Sequence, residues 1–271
     1  MRQIGLVVEY QGSRYHGWQA QPQQVTVQSV LEEALMTILN HRVSVIASGR
    51  TDAGVHAVGQ VVSFYTDSSL PLVVMKRGFN SHLPSDLRII DVLEVASGFH
   101  PRKSATGKCY MYAFCSIVPP PVFWRPFVYP IPGRNFDFSR VRECLPFLEG
   151  THDFTSFSAA GGTSLSTVRT INSIRIEDEG TGFSRLWLEG NGFLYNMVRI
   201  IAGELYQVGL GKKQPEEIKF MLEKPSRQFH RLTLPPQGLF LVKVFYPNFD
   251  PYQNLELVDQ GWITPFWREK S

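Results

Sequence analysis

The residues best suited to chemistry in this chain stand together in the run Ser48-Gly49-Arg50-Thr51-Asp52-Ala53-Gly54-Val55-His56-Ala57. A carboxylate can act as nucleophile or proton acceptor, and a guanidinium can grip an anion in a planar fork. Asp52 has two readings. An Asp two residues ahead of a Gly is commonly a turn former whose carboxylate accepts backbone N–H groups, with a nearby Arg as its ion-pair partner. The other reading makes Asp52 a catalytic carboxylate. Residue types and spacing leave both open. His56, just after, reads as a structural loop histidine rather than an acid–base group.

The neighbouring residues supply a means of holding that run. An apolar, β-branched stretch at 43–47 leads in, and a second at 59–64 leads out, giving strand, irregular loop, strand. Gly49 and Gly54 bracket the loop and free its backbone. A polar loop on two buried strands is a rigid mount for functional side chains.

Composition bounds the rest. With 271 residues, 43% of them apolar, the chain can bury a sizeable core in one large or two medium domains. There is no eighteen-residue apolar run and no secretory pattern at the N-terminus, so the expectation is a cytoplasmic protein without a membrane span. Cys109, Cys115 and Cys144 lack CxxC spacing, and the seven histidines are scattered. Neither a disulfide framework nor a metal site is therefore expected. The net charge of +3 is only mildly basic, but Arg outnumbers Lys eighteen to nine. Guanidinium pairs with phosphate and stacks on bases, and aromatic residues make up 13%. Such residues line an RNA cleft or fill a core, and composition does not decide between the two.

Along the chain, 4–10 reads as a strand broken at Gln11-Gly12-Ser13. A polar, aromatic loop follows through Tyr15-His16-Gly17-Trp18-Gln19. Thr26 caps a core-facing helix running to about Asn40. The strands around the loop of 48–57 come next, then a helix opened by Pro71 and ended by 80–84, and a strand at 87–92. Strand, helix, strand, strand, helix, strand is the split βαβ pattern of ferredoxin-like units. Residues 99–108 read as a connector. The order then repeats: a strand at 109–115, a helix at 138–148 in which Pro146 forces a kink or an early end, a turn at 151–157, strands at 171–177 and 183–189 joined by 178–182, a long apolar helix at 193–208, a short helix at 215–223, and a strand at 238–245. The expected fold class is α+β. Two ferredoxin-like halves, 1–100 and 101–247, join into a central, mainly antiparallel sheet with a cleft between them. A tail at 248–271, with Trp262 and Trp267, packs on the body.

The string GRTDAGVHA closely resembles the signature of the TruA family of tRNA pseudouridine synthases. The early segment resembles that family's EYDGTxxxGWQ element, with Gln11 where an acid is usual. Asn191 to Arg199 resembles its FxxxMVR motif, and 151–157 matches another. The resemblance runs from about Ile4 to Tyr246. It implies conversion of uridine to pseudouridine at positions 38, 39 and 40 in the tRNA anticodon stem-loop, by a homodimer, without metal or cofactor.

The resemblance also assigns roles. Asp52 is the catalytic residue, as nucleophile or base. Tyr110, in Tyr110-Met111-Tyr112, stacks on the uracil and is a candidate acceptor for the C5 proton; without the resemblance it reads as a core aromatic. Arg199 sits in so apolar a helix that it needs a buried partner, and an ion pair with Asp52 is expected; the bland reading is a surface Arg with a buried stem. Arg50, Arg102, Lys103 and Lys108 are the expected RNA-binding residues, against the bland readings of a local ion pair for Arg50 and of a solvated linker for the other three. Cys109 and Met111 fall where the family often has arginines. Two other functions compete: a tRNA-binding module or chaperone without catalysis, and a carboxylate-dependent glycosidase, which normally needs a second carboxylate.

Overall fold

The computed structural model describes residues 1–132, 135–162, 164–178, 180 and 182–253. They form two compact α+β units. The first is Met1–Thr106 with the described residues from Leu241 onward, and the second is Gly107–Phe240.

In the first unit, β1 (Arg2–Tyr10) is buried along nearly its whole length because it has a strand on each side. Helix α1 (Val27–Leu39) follows. Thr26 and Ser29 exchange side-chain and backbone hydrogen bonds at its start, satisfying two donors that a helix leaves unpaired. Val27, Leu31, Ala34, Leu35 and Leu39 form its buried face, and Asn40 ends it in the left-handed region at φ 58°. Strand β2 is only Ile46–Ala47, shorter than the apolar run suggested. Its predecessor Val45 donates its N–H to the Glu32 side chain on α1 at 2.9 Å instead of to a strand. Strand β3 is longer than expected, His56–Thr66, so His56 opens a strand rather than lying in the loop. Helix α2 (Leu72–His82) buries Met75 and Phe79, with the Phe79 ring edge-on to Phe64. Strand β4 (Leu87–Glu94) completes the series. Strand β1 lies between β4 and β3, and β2 pairs β3 off this path, all three pairs antiparallel.

In the second unit, β5 (Gly107–Cys115) pairs antiparallel with β9 (Phe183–Gly190), and β9 with β8 (Val168–Asp178). Two short strands extend this ladder. Strand β6 (Tyr129–Pro130) lies parallel to β5, and β7 (Gly150–Asp153) antiparallel to β8. Residues 151–157, expected as a turn, are therefore the end of a strand followed by a 3-10 turn at Phe154–Phe157. Helix α3 (Phe138–Leu148) is capped by Asp137 and ends two residues after Pro146, which cannot donate to the last turn. Helix α4 (Met197–Gly209) starts four residues later than the apolar run implied. Asn191 to Asn196 are engaged elsewhere: the Asn191 N–H bonds the Thr170 carbonyl, the Tyr195 carbonyl accepts from Ala159, and Asn196 sits at φ 59°. Helix α5 (Pro215–Glu223) begins with Pro in the first turn, where its missing N–H costs nothing. Strand β10 (Leu239–Phe245) passes from this unit into the first at Leu241. Positions 179 and 181 of the expected connection 178–182, and Trp262 and Trp267 of the tail, lie outside the described residues.

Candidate active site

The loop carrying Asp52 is fixed by hydrogen bonds from three directions within the first unit. From β3, Gln60 donates its amide to the Gly49 carbonyl at 2.8 Å and also meets the Ser48 hydroxyl. From β1, the Tyr10 hydroxyl meets Thr51 Oγ1 at 2.8 Å. From the segment after β1, the Trp18 N–H reaches the Thr51 carbonyl at 3.0 Å. The Asp52 carbonyl accepts the Val55 N–H at 3.1 Å, and Gly54 takes φ 79°, closing a tight turn that a side chain at 54 would strain. Burial pushes the Tyr10 phenol up to about 12 despite hydrogen bonds to Thr51 and Gln60, so it remains a neutral group. Asp52 and Ala53 thus sit on a backbone that has almost no freedom. Asp52 itself is half-buried, and Arg50 is exposed.

Two glycines explain the second sequence element. A Cβ on Gly12 would stand 2.0 Å from the Val55 carbonyl oxygen, and one on Gly17 would stand 2.8 Å from that of Thr51, where φ is also +84°. The segment 11–18 therefore packs backbone against backbone under the loop. His56 joins the same contact: its Nδ1 accepts the Gly12 N–H at 3.0 Å, and the residue is 1% exposed. A ring nitrogen that accepts carries no proton, so His56 is a neutral structural histidine, as its sequence position suggested. Tyr10, Gln60 and the two glycines went unremarked as supports. The signal for them was the loop's own glycines together with the aromatic run at 15–18.

In the second unit, Tyr110 lies on β5 opposite Leu188, with its ring 9% exposed and edge-on to Phe193 at 5.1 Å. Arg199, in the first turn of α4, is half-buried. Its Nε donates to the Leu234 carbonyl at 2.7 Å and its Nη1 to the Asn196 side-chain oxygen at 2.8 Å. The guanidinium therefore has neutral acceptors as well as whatever anion it meets, a possibility that counting carboxylates overlooked. It also pulls the strongly raised Tyr112 phenol downward, burial being the larger effect on that group. One turn further on, Glu204 is 1% exposed and accepts the Leu232 N–H at 2.8 Å and the Lys213 ammonium. A buried carboxylate with two charge-satisfying donors is a strut. Arg199 and Glu204 together hold 232–234 against α4.

Arg102 and Lys103 are exposed on the segment that precedes β5, and Lys108 is half-buried on β5 itself, opposite Gly190. Among the described residues no group of three or more His, Cys, Asp or Glu is placed to hold a metal, and no described helix is long and apolar enough to cross a membrane.

Known proteins place this geometry in a lineage. The profile of the family described as tRNA pseudouridine synthase matches residues 6–102 and 147–247, taking in both the Asp52 loop and the Arg199 helix. tRNA pseudouridine synthase A 2 of Clostridium perfringens is 42% identical over 246 residues, covering 91% of this chain and 100% of its own. tRNA pseudouridine synthase A of Clostridium kluyveri is equally similar over the same shares. That of Bacillus pumilus is 43% identical over 247 residues, 90% of this chain and 99% of its own. A family match over most of the chain, together with relatives at this identity over nearly their whole length, shows that the chain belongs to the TruA family of tRNA pseudouridine synthases.

Proposed function

We propose that this protein converts uridine to pseudouridine in the anticodon stem-loop of tRNA, at positions 38, 39 and 40, with Asp52 as the catalytic carboxylate. The reaction balances within one nucleotide. The N1–C1′ bond breaks, the uracil turns, a C5–C1′ bond forms, the C5 hydrogen leaves as a proton and N1 gains one. The chemistry needs a carboxylate at the nucleotide, a proton acceptor at C5, and a means of holding a base drawn out of its stack, which costs a few kcal/mol. Asp52 supplies the first and Tyr110 is assigned to the uracil. Arg199 is assigned as the cation that sustains the Asp52 charge. Arg50, Arg102, Lys103 and Lys108 are assigned to the RNA backbone.

The observation that carries the reading is the immobilised Asp52 turn in a chain of this family. A mere turn former would not call for hydrogen bonds from three separate elements, nor for two glycines kept bare beneath it. By the same reading the two units are elaborations of the ferredoxin-like pattern, with the partition at 100 and 247 and the tail beyond, and the protein works in the cytoplasm as a homodimer whose tRNA touches both chains. Release of tritium from C5-labelled uridine in tRNA, followed by mapping of the product, tests the function. Only rejoining at C5 expels that hydrogen. A tRNA-binding module would release none, and a glycosidase would free uracil instead.

A further inference from the structure

Arg169, on β8, is a cation that none of the assignments above uses. Its Nη1 donates to the Ser166 carbonyl at 3.0 Å and the Val168 carbonyl at 2.6 Å. Among the described residues it has no carboxylate partner. The side chain is half-buried, and burial draws the guanidinium below its ordinary value. A charge that is partly desolvated and lacks a counter-ion is costly unless an anion arrives.

Its position gives the anion a place. Lys108 and Ile171 both stand opposite Gly190, one from each flanking strand. Residues two apart share a face, so Arg169, Ile171, Lys108 and Tyr110 occupy the same face of the ladder at the same end. The loop leaving β9 is tied to β8 by a reciprocal pair: the Asn191 N–H bonds the Thr170 carbonyl, and the Thr170 N–H bonds the Asn191 side chain, each at 3.0 Å. Next comes Gly192, whose bare Cα faces Arg169; a Cβ there would stand 3.8 Å from Nε. Then comes Phe193, which meets the Tyr110 ring. The guanidinium is therefore pinned beside the loop whose next residue walls the tyrosine.

We propose that Arg169 binds a phosphate of the RNA strand beside the nucleotide that Tyr110 receives. This rests on the role assigned to Tyr110 above. The two carbonyl contacts hold the fork in place in advance, beside the loop at Gly192. A guanidinium suits a phosphate better than an ammonium because it can present two parallel donors.

The test is tRNA binding by the full chain across a range of salt concentrations, for wild type, Arg169→Met and Arg169→Lys. Loss of one phosphate contact lowers the slope of log K against log salt by about 0.7–0.9. The Met variant should show that change and a Kd raised about tenfold at low salt. Arg169→Lys should recover the slope. If both variants merely melt at lower temperature and keep the wild-type slope, Arg169 only anchors the turn at 166–168 and the proposal fails. Tritium release by the wild-type preparation separates the two levels. Turnover with an unchanged slope sinks the Arg169 contact alone. No turnover by wild type sinks the isomerase reading and this contact with it.

Discussion

At the scale of single residues, Asp52 and His56 make an instructive pair. Both are polar residues of one short stretch of chain, Asp52 in the loop and His56 at the start of β3, and their surroundings separate them. His56 is buried with Nδ1 committed to the Gly12 N–H, whereas Asp52 is half-buried on a turn closed by its own carbonyl. Asp52→Asn keeps the shape and removes the charge. It should cut tritium release by about 10³-fold or more while leaving thermal stability and tRNA affinity near wild type. Near-normal turnover would end the catalytic assignment, and unfolding would favour the turn-former reading. His56→Ala should do the converse. It leaves a buried N–H unsatisfied and should cost about 1–3 kcal/mol of stability, read by denaturant unfolding.

At the scale of elements, the structure shows how short polar segments depend on a few contacts. Arg199 ties α4 to 232–234 through Leu234 and to its own N-cap through Asn196. Arg199→Met should therefore lower stability by about 1–3 kcal/mol besides lowering activity, and Arg199→Lys should be impaired in both, because a point charge lacks the fork. The 3-10 turn after β7 gives a pH signature. Burial tends to raise the Asp153 carboxyl, but hydrogen bonds from Thr167, the Thr155 hydroxyl and the Thr155 N–H outweigh it, so the net shift is downward from 3.8. A carboxylate with a depressed folded-state value stabilises the fold fully above its unfolded value. That contribution is lost as pH falls through the folded value, here below about 4. Asp153→Asn should accordingly flatten the acid limb of stability against pH, measured by chemical denaturation between about pH 6 and 2. An unchanged limb would show that the hydrogen bonds do not depend on charge.

At the scale of the whole molecule, the charge is modest but its kind is not. A net +3 gives little long-range attraction, so binding to tRNA must come from local Arg and Lys contacts with phosphate. Affinity should fall linearly on a log–log salt plot, by about 10³-fold between 50 and 200 mM salt if six or so phosphates are engaged. A flat dependence would count against the arginines as RNA contacts. The proposed homodimer should appear by sedimentation at assay concentrations, and a fully active monomer would remove the need for it.

The amino-acid sequence by itself determined the α+β class, most of the helices and strands, and the loop that carries the chemistry. Those features depend on local information: apolar period, a Thr cap at 26, prolines at 71 and 215, and a string of unusual residues in order. The family profile then followed from the same strings. Only tertiary structure decided where local signals compete. The apolar run through Phe193 and Leu194 reads as helix, yet on either side of it Asn191 and Tyr195 bond Thr170 and Ala159 through their backbone, and the Phe193 ring packs on Tyr110, so α4 starts at Met197. Val45 gives its N–H to Glu32 rather than to a strand, so β2 shrinks to two residues. The bare glycines under the Asp52 turn, the carbonyl that holds Arg199 and the placement of Arg169 beside the Tyr110 wall are all contacts between residues far apart in the chain. No periodicity records such contacts, because the hydrogen-bond partner of a buried polar group is chosen by packing and not by sequence neighbours.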